Sequence, residues 1–332
     1  MKPCAIVLLN YNGETVLPTF LPSVVNHSVH DLWMIDNAST DGSLDYVRKE
    51  FPAIGILPLE KNHGFTGGYN YGLEQLKGQY AYFILINTDL EVTSGWDLGL
   101  VDFLEKQKNY AAVQPKVLSW KDRSKFDHAG AGGGYIDALG YPYCRGRIWN
   151  HLEQDQGQYN DSVEVDWASG ACLAICADDF FSQKGFDSQF FAHMEEIDLC
   201  WRLRQAGRKI GYLGSVAVYH LGGGTLDRNS PQKLYLNIRN SLLMLYKNSS
   251  RGQFARAVLL KAFLEGTAFC AFFFKGQPKL AKAIISGYLD FSKTKKHQKN
   301  QSRTKNMALS LGPIKILAVP TLLRRVKKFT EL

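Results

Sequence analysis

YAYFILINTD, residues 80–89, places seven apolar or aromatic residues directly before a polar Asn-Thr-Asp tripeptide. A short unbroken apolar run closed by a polar turn reads as a strand covered on both faces, the habit of parallel sheets. Moving outward from it, the same rhythm repeats in AIVLL (5–9), LWMID (32–36), IGILPL (54–59) and AAVQPKVL (111–118). Segments of helical character lie between the runs, at Ser43 to Phe51, Thr66 to Leu76 and Gly95 to Lys106. The expected fold class is therefore α/β, a doubly wound and mostly parallel sheet flanked by helices. Ligands of such sheets bind beyond the carboxyl ends of the strands. Polar motifs fall at those ends: Asn10-Tyr11-Asn12-Gly13, Asp36 to Gly42, and Asn87-Thr88-Asp89.

Composition sets the outer bounds. With 332 residues, 45% hydrophobic and 21% charged, the chain belongs with ordinary globular proteins rather than disordered or fibrous ones. Six cysteines without C-x-x-C spacing give neither a disulfide scaffold nor structural zinc, and a reducing cytosol is the expected compartment. The N-terminus lacks the flanks of a cleavable signal peptide. The net charge of +8 is local, since eleven Lys or Arg face one acid between Ser292 and Leu332 and the remainder is nearly neutral. No motif accompanies that charge to indicate nucleic acid. Phe254 to Phe274 is long enough to span a bilayer but carries Arg256, Lys261 and Glu265. An apolar helix followed by basic segments fits a peripheral membrane surface, the alternative being a helix buried on the main domain. A composition shift near residue 250 divides the chain into an expected 1–250 unit and a helical, basic 251–332 region.

Elsewhere, Ala129 to Gly157 reads as an irregular excursion and Val163 to Cys176 as extended. A helix is expected from Glu195 to Ala206, then two short strands, Lys209 to Leu213 and Val216 to His220, and a glycine loop, Gly222 to Thr225. Asp89 suits an ion that neutralises a diphosphate, or a turn cap. His220, before the glycines, can meet the same ion or serve the strand end. The glycine loop lacks a P-loop ending, and residues 64–68 do not fit G-x-G-x-x-G, so an NTPase or dehydrogenase is disfavoured. Glu195, Glu196 and Asp198 open a helix, where acids are favoured and Asp198 can pair with Arg202. Their apolar approach, FFAHM, also suits a carboxylate of raised basicity.

VLLNYNG, DNASTDGS, NHGFTGGYNYGL, NTD, DWASGACL, FFAHMEEIDLCWRLRQAG and VYHLGGGT, in that order, resemble the family 2 glycosyltransferases of GT-A fold, particularly their bacterial rhamnosyltransferase-like branch. The resemblance spans roughly residues 4 to 245. It implies inverting transfer of a sugar, rhamnose in that branch, from a nucleoside diphosphate donor, dTDP- or UDP-linked, to a saccharide or lipid-linked acceptor in surface-glycan assembly, which the basic, apolar C-terminus would place on the cytoplasmic membrane face. A non-catalytic nucleotide-sugar-binding subunit is the alternative. By the same resemblance Asn10, Tyr11 and Asn12 line the nucleotide pocket and Asp36 contacts the base. Asn62, Gly67 and Asn70 lie under nucleotide and sugar, with Asn87 and Thr88 beside them. Asp89 and His220 hold a divalent metal, magnesium or manganese, although Asn87 stands where the motif's first acid is usual. Glu196 is the implied general base, at a position usually occupied by Asp, with Glu195 and Asp198 as competitors.

Overall fold

The computed structural model describes residues 2–222, 230–295, 310–313, 315–323 and 325–332. Its centre is the set of apolar runs read from the sequence. β1 (Lys2–Asn10), β2 (Asp31–Asp36), β3 (Gly55–Pro58) and β4 (Tyr80–Ile86) pair in parallel, with β4 beside β1 and the order running β4-β1-β2-β3. The order therefore switches side of β1 along the sheet, and the ends of β1 and β4 are where ligands of such sheets bind. Beyond β4 come β12 (Cys172–Cys176), β6 (Tyr110–Ser119), β13 (Lys209–His220) and β11 (Ser162–Val165), with β5 (Leu90–Val92) on β13. β12 is antiparallel to both β4 and β6, and β5 and β11 are antiparallel to β13, so the sheet is mixed and parallel in the half that carries the first motifs.

Helices α1 (Leu17–His27), α2 (Ser43–Glu50), α3 (Gly64–Gln75) and α4 (Trp96–Lys106) connect these strands. α1 follows from the apolar spacing of Leu17, Phe20, Leu21 and Val24, all buried, with Leu17, Leu21 and Val24 packed in one cluster with sheet residues and Phe20 against Trp120. α3 approaches the sheet closely because glycines face it: a Cβ on Gly68 would overlap Leu9, and one on Gly72 would overlap Ile35. α5 (Ala177–Ser182) and α6 (Glu195–Gln205) follow β12, and α7 (Pro231–Asn248), α8 (Arg251–Phe274), α9 (Pro278–Thr294) and α10 (Ala318–Leu323) complete the chain. Ala257 of α8, Phe291 of α9 and Leu317 join the same buried cluster as Leu85 and Leu173 of the central sheet.

Three sequence expectations change. The two short strands 209–213 and 216–220 are one strand, β13, whose pairing with β6 slips between Leu213 and Ala217 around Gly214. The excursion 129–157 is an antiparallel four-stranded sheet, β7 (Gly134–Ile136), β8 (Pro142–Cys144), β9 (Arg147–Ile148) and β10 (His151–Leu152), and most of it is buried. Its strands of two or three residues are too short to show a period. The extended stretch 163–176 is broken between β11 and β12, where Asp166 is held by Arg204 at 2.7 Å and by the backbone N–H of Ile136. Of the glycine loop, only Gly222 is described; Gly223, Gly224 and Thr225 lie outside the described residues.

Candidate active site

At the carboxyl end of β1, Asn10 is fully buried, and its amide donates to Asp36 Oδ1 (3.0 Å), Ser39 Oγ (3.1 Å) and Ser43 Oγ (2.9 Å). It fastens β1 to the loop after β2 rather than lining a pocket. Asp36 is also buried and accepts the Ser39 backbone N–H at 3.1 Å. Asn12, in the left-handed region at φ 53°, bridges the same two loops by accepting from the Thr40 N–H at 2.8 Å. Tyr11 projects from this frame, 46% exposed, with its ring free to stack on a planar ligand.

The sequence reading missed Asn37, which organises the next segment. Buried, it donates to Asn62 Oδ1 (3.0 Å) and the Gly64 carbonyl (3.0 Å) and accepts from the His63 N–H (2.9 Å). Asn62 itself is exposed at the rim. Gly67 and Asn70 serve the protein instead. A Cβ on Gly67 would press into His63 at 2.6 Å. The Asn70 amide donates to the Phe186 carbonyl (2.7 Å) and accepts its N–H (3.0 Å), pinning the chain that leads to α6. The N–H groups of Phe65 and Thr66, at the start of α3, donate to the Phe191 carbonyl, joining this segment to the same loop.

β4 ends at Ile86, and the backbone N–H of the next residue, Asn87, donates to the Ala171 carbonyl. Thr88 is half-buried in the turn. Asp89 is buried, and its Oδ1 lies 3.1 Å from His220 Nε2, while Asn87 Nδ2 lies 3.5 Å from the same nitrogen. The pairing of β5 with the end of β13 produces this meeting, with His220 opposite Leu90. Asp127, absent from the sequence reading, closes the other side, its Oδ1 2.9 Å from His220 Nδ1. Burial disfavours the imidazolium, but hydrogen bonds to Asp127 and Asp89 outweigh it and lift His220 to about 10. Asp89 and His220 Nε2 form an oxygen–nitrogen pair fit for a divalent ion that takes its other ligands from diphosphate and water, with Asp127 orienting the ring. Among the described residues, no cluster of three or more potential ligands forms a complete protein cage.

The loop before α6 is strained: Phe191, His193 and Met194 have φ of 62°, 70° and 71°. Asn240 of α7, fully buried, holds it by donating to the carbonyls of Phe190 (3.0 Å), Ala192 (2.8 Å) and His193 (2.8 Å). Asn240→Ala removes all three of these buried hydrogen bonds and is expected to cost about 2–4 kcal/mol, read from denaturant unfolding.

This loop delivers Glu195 and Glu196. Each has a buried Oε2 without a hydrogen-bond partner. Burial raises Glu196 to about 7, against the pull of backbone N–H groups that include Gly170. Burial, reinforced by the Glu196 charge, raises Glu195 well above the carboxylate range. Glu196 lies beside Gly170, where an added Cβ would meet Phe65 at 3.3 Å and Glu196 Cβ at 3.8 Å. Ala171, the next residue, binds Asn87, so the carboxylate and the Asp89 turn adjoin through one short stretch of backbone.

Asp198 leaves the contest for general base. Fully buried, it accepts from Arg202 Nε (2.8 Å), Lys247 Nζ (2.9 Å) and Asn248 Nδ2 (2.8 Å). Burial opposes its ionisation, but Arg202 and Lys247 outweigh it and hold the carboxyl below its ordinary value. It fastens α6 to α7. Asp198→Asn is expected to destabilise the fold by about 3 kcal/mol, measured by denaturant midpoint, as for a broken buried ion pair.

Residues 5–180, just over half of the chain, match the family model described as Glycosyl transferase family 2. The chain belongs to glycosyl transferase family 2. Its relatives include N-acetylglucosaminyl-diphospho-decaprenol L-rhamnosyltransferase of Mycobacterium tuberculosis, 25% identical over 72% of this chain and 83% of that protein. Rhamnosyltransferase WbbL of Escherichia coli is 39% identical over 48% of this chain and 61% of its own. The hexosyltransferase Agl10 of Haloferax volcanii is 24% identical over 72% and 74%. Among solved structures, GalNAc-T7 with UDP, GalNAc and Mn2+ superposes with a TM-score of 0.57 at 15% identity, covering 76% of this chain and 49% of that one. The mannosyltransferase PcManGT of Pyrobaculum calidifontis, with GDP-Man and Mn2+, gives 0.54 at 11% identity, covering 89% and 88%. The fold is GT-A, and this family 2 chain is a glycosyltransferase.

Proposed function

We propose that the chain transfers a sugar, with rhamnose the leading candidate, from a nucleoside diphosphate donor to a saccharide or lipid-linked acceptor, with inversion at the anomeric carbon. The observation that carries this reading is Glu196, a carboxylate raised to about 7 with an unpartnered oxygen, linked through Gly170, Ala171 and Asn87 to the turn that holds the Asp89–His220 pair. Glu196 takes the acceptor hydroxyl proton as that oxygen bonds to the anomeric carbon. The bond from that carbon to the donor's diphosphate breaks, and its electron pair leaves with the nucleoside diphosphate. One acid suffices, whereas a glycosidase needs a second to protonate its leaving group. A magnesium or manganese ion held by Asp89 and His220 would neutralise the departing diphosphate. Tyr11, Asn12, Asp36, Asn62 and the Asn87-Thr88 turn border the donor, while Asn10, Asn37, Gly67 and Asn70 keep its walls in place.

The 1–250 region is the catalytic unit in this reading, and 251–332 attaches it to its working surface. A decaprenol-linked acceptor in the name of one relative supports a lipid-linked acceptor here, and hence action at a membrane. Six unpaired thiols support the cytoplasmic face. Calorimetry with a panel of dTDP-, UDP- and GDP-sugars, with manganese and then with chelator, tests the reading. Selective binding strengthened by manganese is expected. Failure of every donor in both conditions would overturn it and favour a non-catalytic member.

A further inference from the structure

α8 is inside out. The charges within its apolar sequence, Lys261 and Glu265, point inward and are buried, paired at 2.9 Å. Glu265 also accepts from Tyr141 (3.0 Å) and Tyr288 (2.7 Å), and the Lys261 ammonium sits 3.5 Å from the Tyr141 ring centroid. The outward face carries Leu259 and Phe263, 74% and 71% exposed, and at its far end Phe273 and Phe274, 58% and 85% exposed. Spacings of four and of ten or eleven residues place these side chains along one stripe. A helix that hides its ion pair and presents Phe and Leu has the polarity of an element whose outer neighbour is apolar.

We infer that this stripe of α8 lies in the headgroup–acyl boundary of a bilayer containing anionic lipids, parallel to its plane. Charge decides the occupant. Arg256 sits at one end of the stripe, and Lys275, Lys279 and Lys282 follow at the other, all exposed. The one acid within α8, Glu265, is buried. Such a rim attracts anionic headgroups, while a second copy would bring like charges together. Spanning is excluded for this placement because Lys261 and Glu265 tie the inner face to Tyr141 of the main body. The inference deepens the lipid-linked acceptor reading, on which it rests only for its purpose, by naming the surface where that acceptor is met.

The test is co-sedimentation of the full chain with phosphatidylcholine vesicles, with and without phosphatidylglycerol. Wild type should bind vesicles containing phosphatidylglycerol, and Phe263→Asp should weaken binding by about 10-fold or more, with manganese-dependent donor binding unchanged as the check of folding. Lys279→Ala with Lys282→Ala should weaken it roughly 10-fold on the anionic vesicles alone. Phe263→Trp should be quenched by brominated acyl chains. Vesicle binding that is unaffected by Phe263→Asp would overturn the inference. So would a wild-type dimer that Phe263→Asp dissociates and that ignores vesicles, an outcome assigning the stripe to a second copy. Donor binding reports separately on the active site, so the two readings fail independently.

Discussion

Glu196→Gln is expected to reduce transfer on the order of 100-fold or more, to leave donor binding intact, and to make the protein more stable at pH 8. The first two effects follow from removing the base while keeping the shape of the side chain. The third follows from linkage. Burial lifts the carboxyl from 4.5 to about 7, so between those values the folded protein holds a proton that the unfolded chain has released. Stability therefore falls as pH rises through that window, and above it the folded state carries the full penalty of a buried anion. Gln removes the penalty, a gain of about 1–3 kcal/mol above pH 7 that vanishes below about pH 4.5. Parallel rate and denaturation measurements read both. A variant that loses activity and stability together would mean that Glu196 supports the fold instead.

Asp89→Asn should abolish the manganese-dependent part of donor binding and lower transfer on the order of 1000-fold, the scale of several kcal/mol of charge stabilisation. Asn keeps the volume and can still accept from His220, so the fold should persist; what disappears is the anionic partner of His220 Nε2. Calorimetry in manganese and in chelator should give the same affinity for the variant. A manganese increment equal to that of wild type would move the ion elsewhere.

The parts of the fold legible in the sequence were those written in local pattern. β1, β2 and β4 are continuous apolar runs because both faces of each are covered, and the polar residues after them mark the edge where ligands of such sheets bind. In the sequence β13 reads as two strands because Gly214 interrupts its apolar period, although the chain remains extended through it. The small sheet β7–β10 was illegible because two- and three-residue strands are defined by pairing alone. The site divides in the same way. Asp89, His220 and Glu196 stand in recognisable motifs at element ends. Asp127, 93 residues from the histidine it orients, and Asn240, some 50 residues from the loop it holds, leave no local trace. Asp198 looked like a competitor because its partners Lys247 and Asn248 come from another helix. The sign of α8 was likewise hidden: the sequence shows charges in an apolar helix, and only packing shows that they face inward.

In the proposed mechanism the Glu195–Glu196 cluster supplies a base poised near neutrality. The most direct measurement is the pH profile of kcat/KM for transfer in the wild-type enzyme, with Glu196→Asp in parallel. The profile reports apparent values belonging to the Glu195–Glu196 cluster. The rate should rise about 10-fold per pH unit below neutrality and level off above about pH 7, with the limb displaced in Glu196→Asp. A profile flat from pH 5 to 8, or a limb that Glu196→Asp leaves in place, would contradict it.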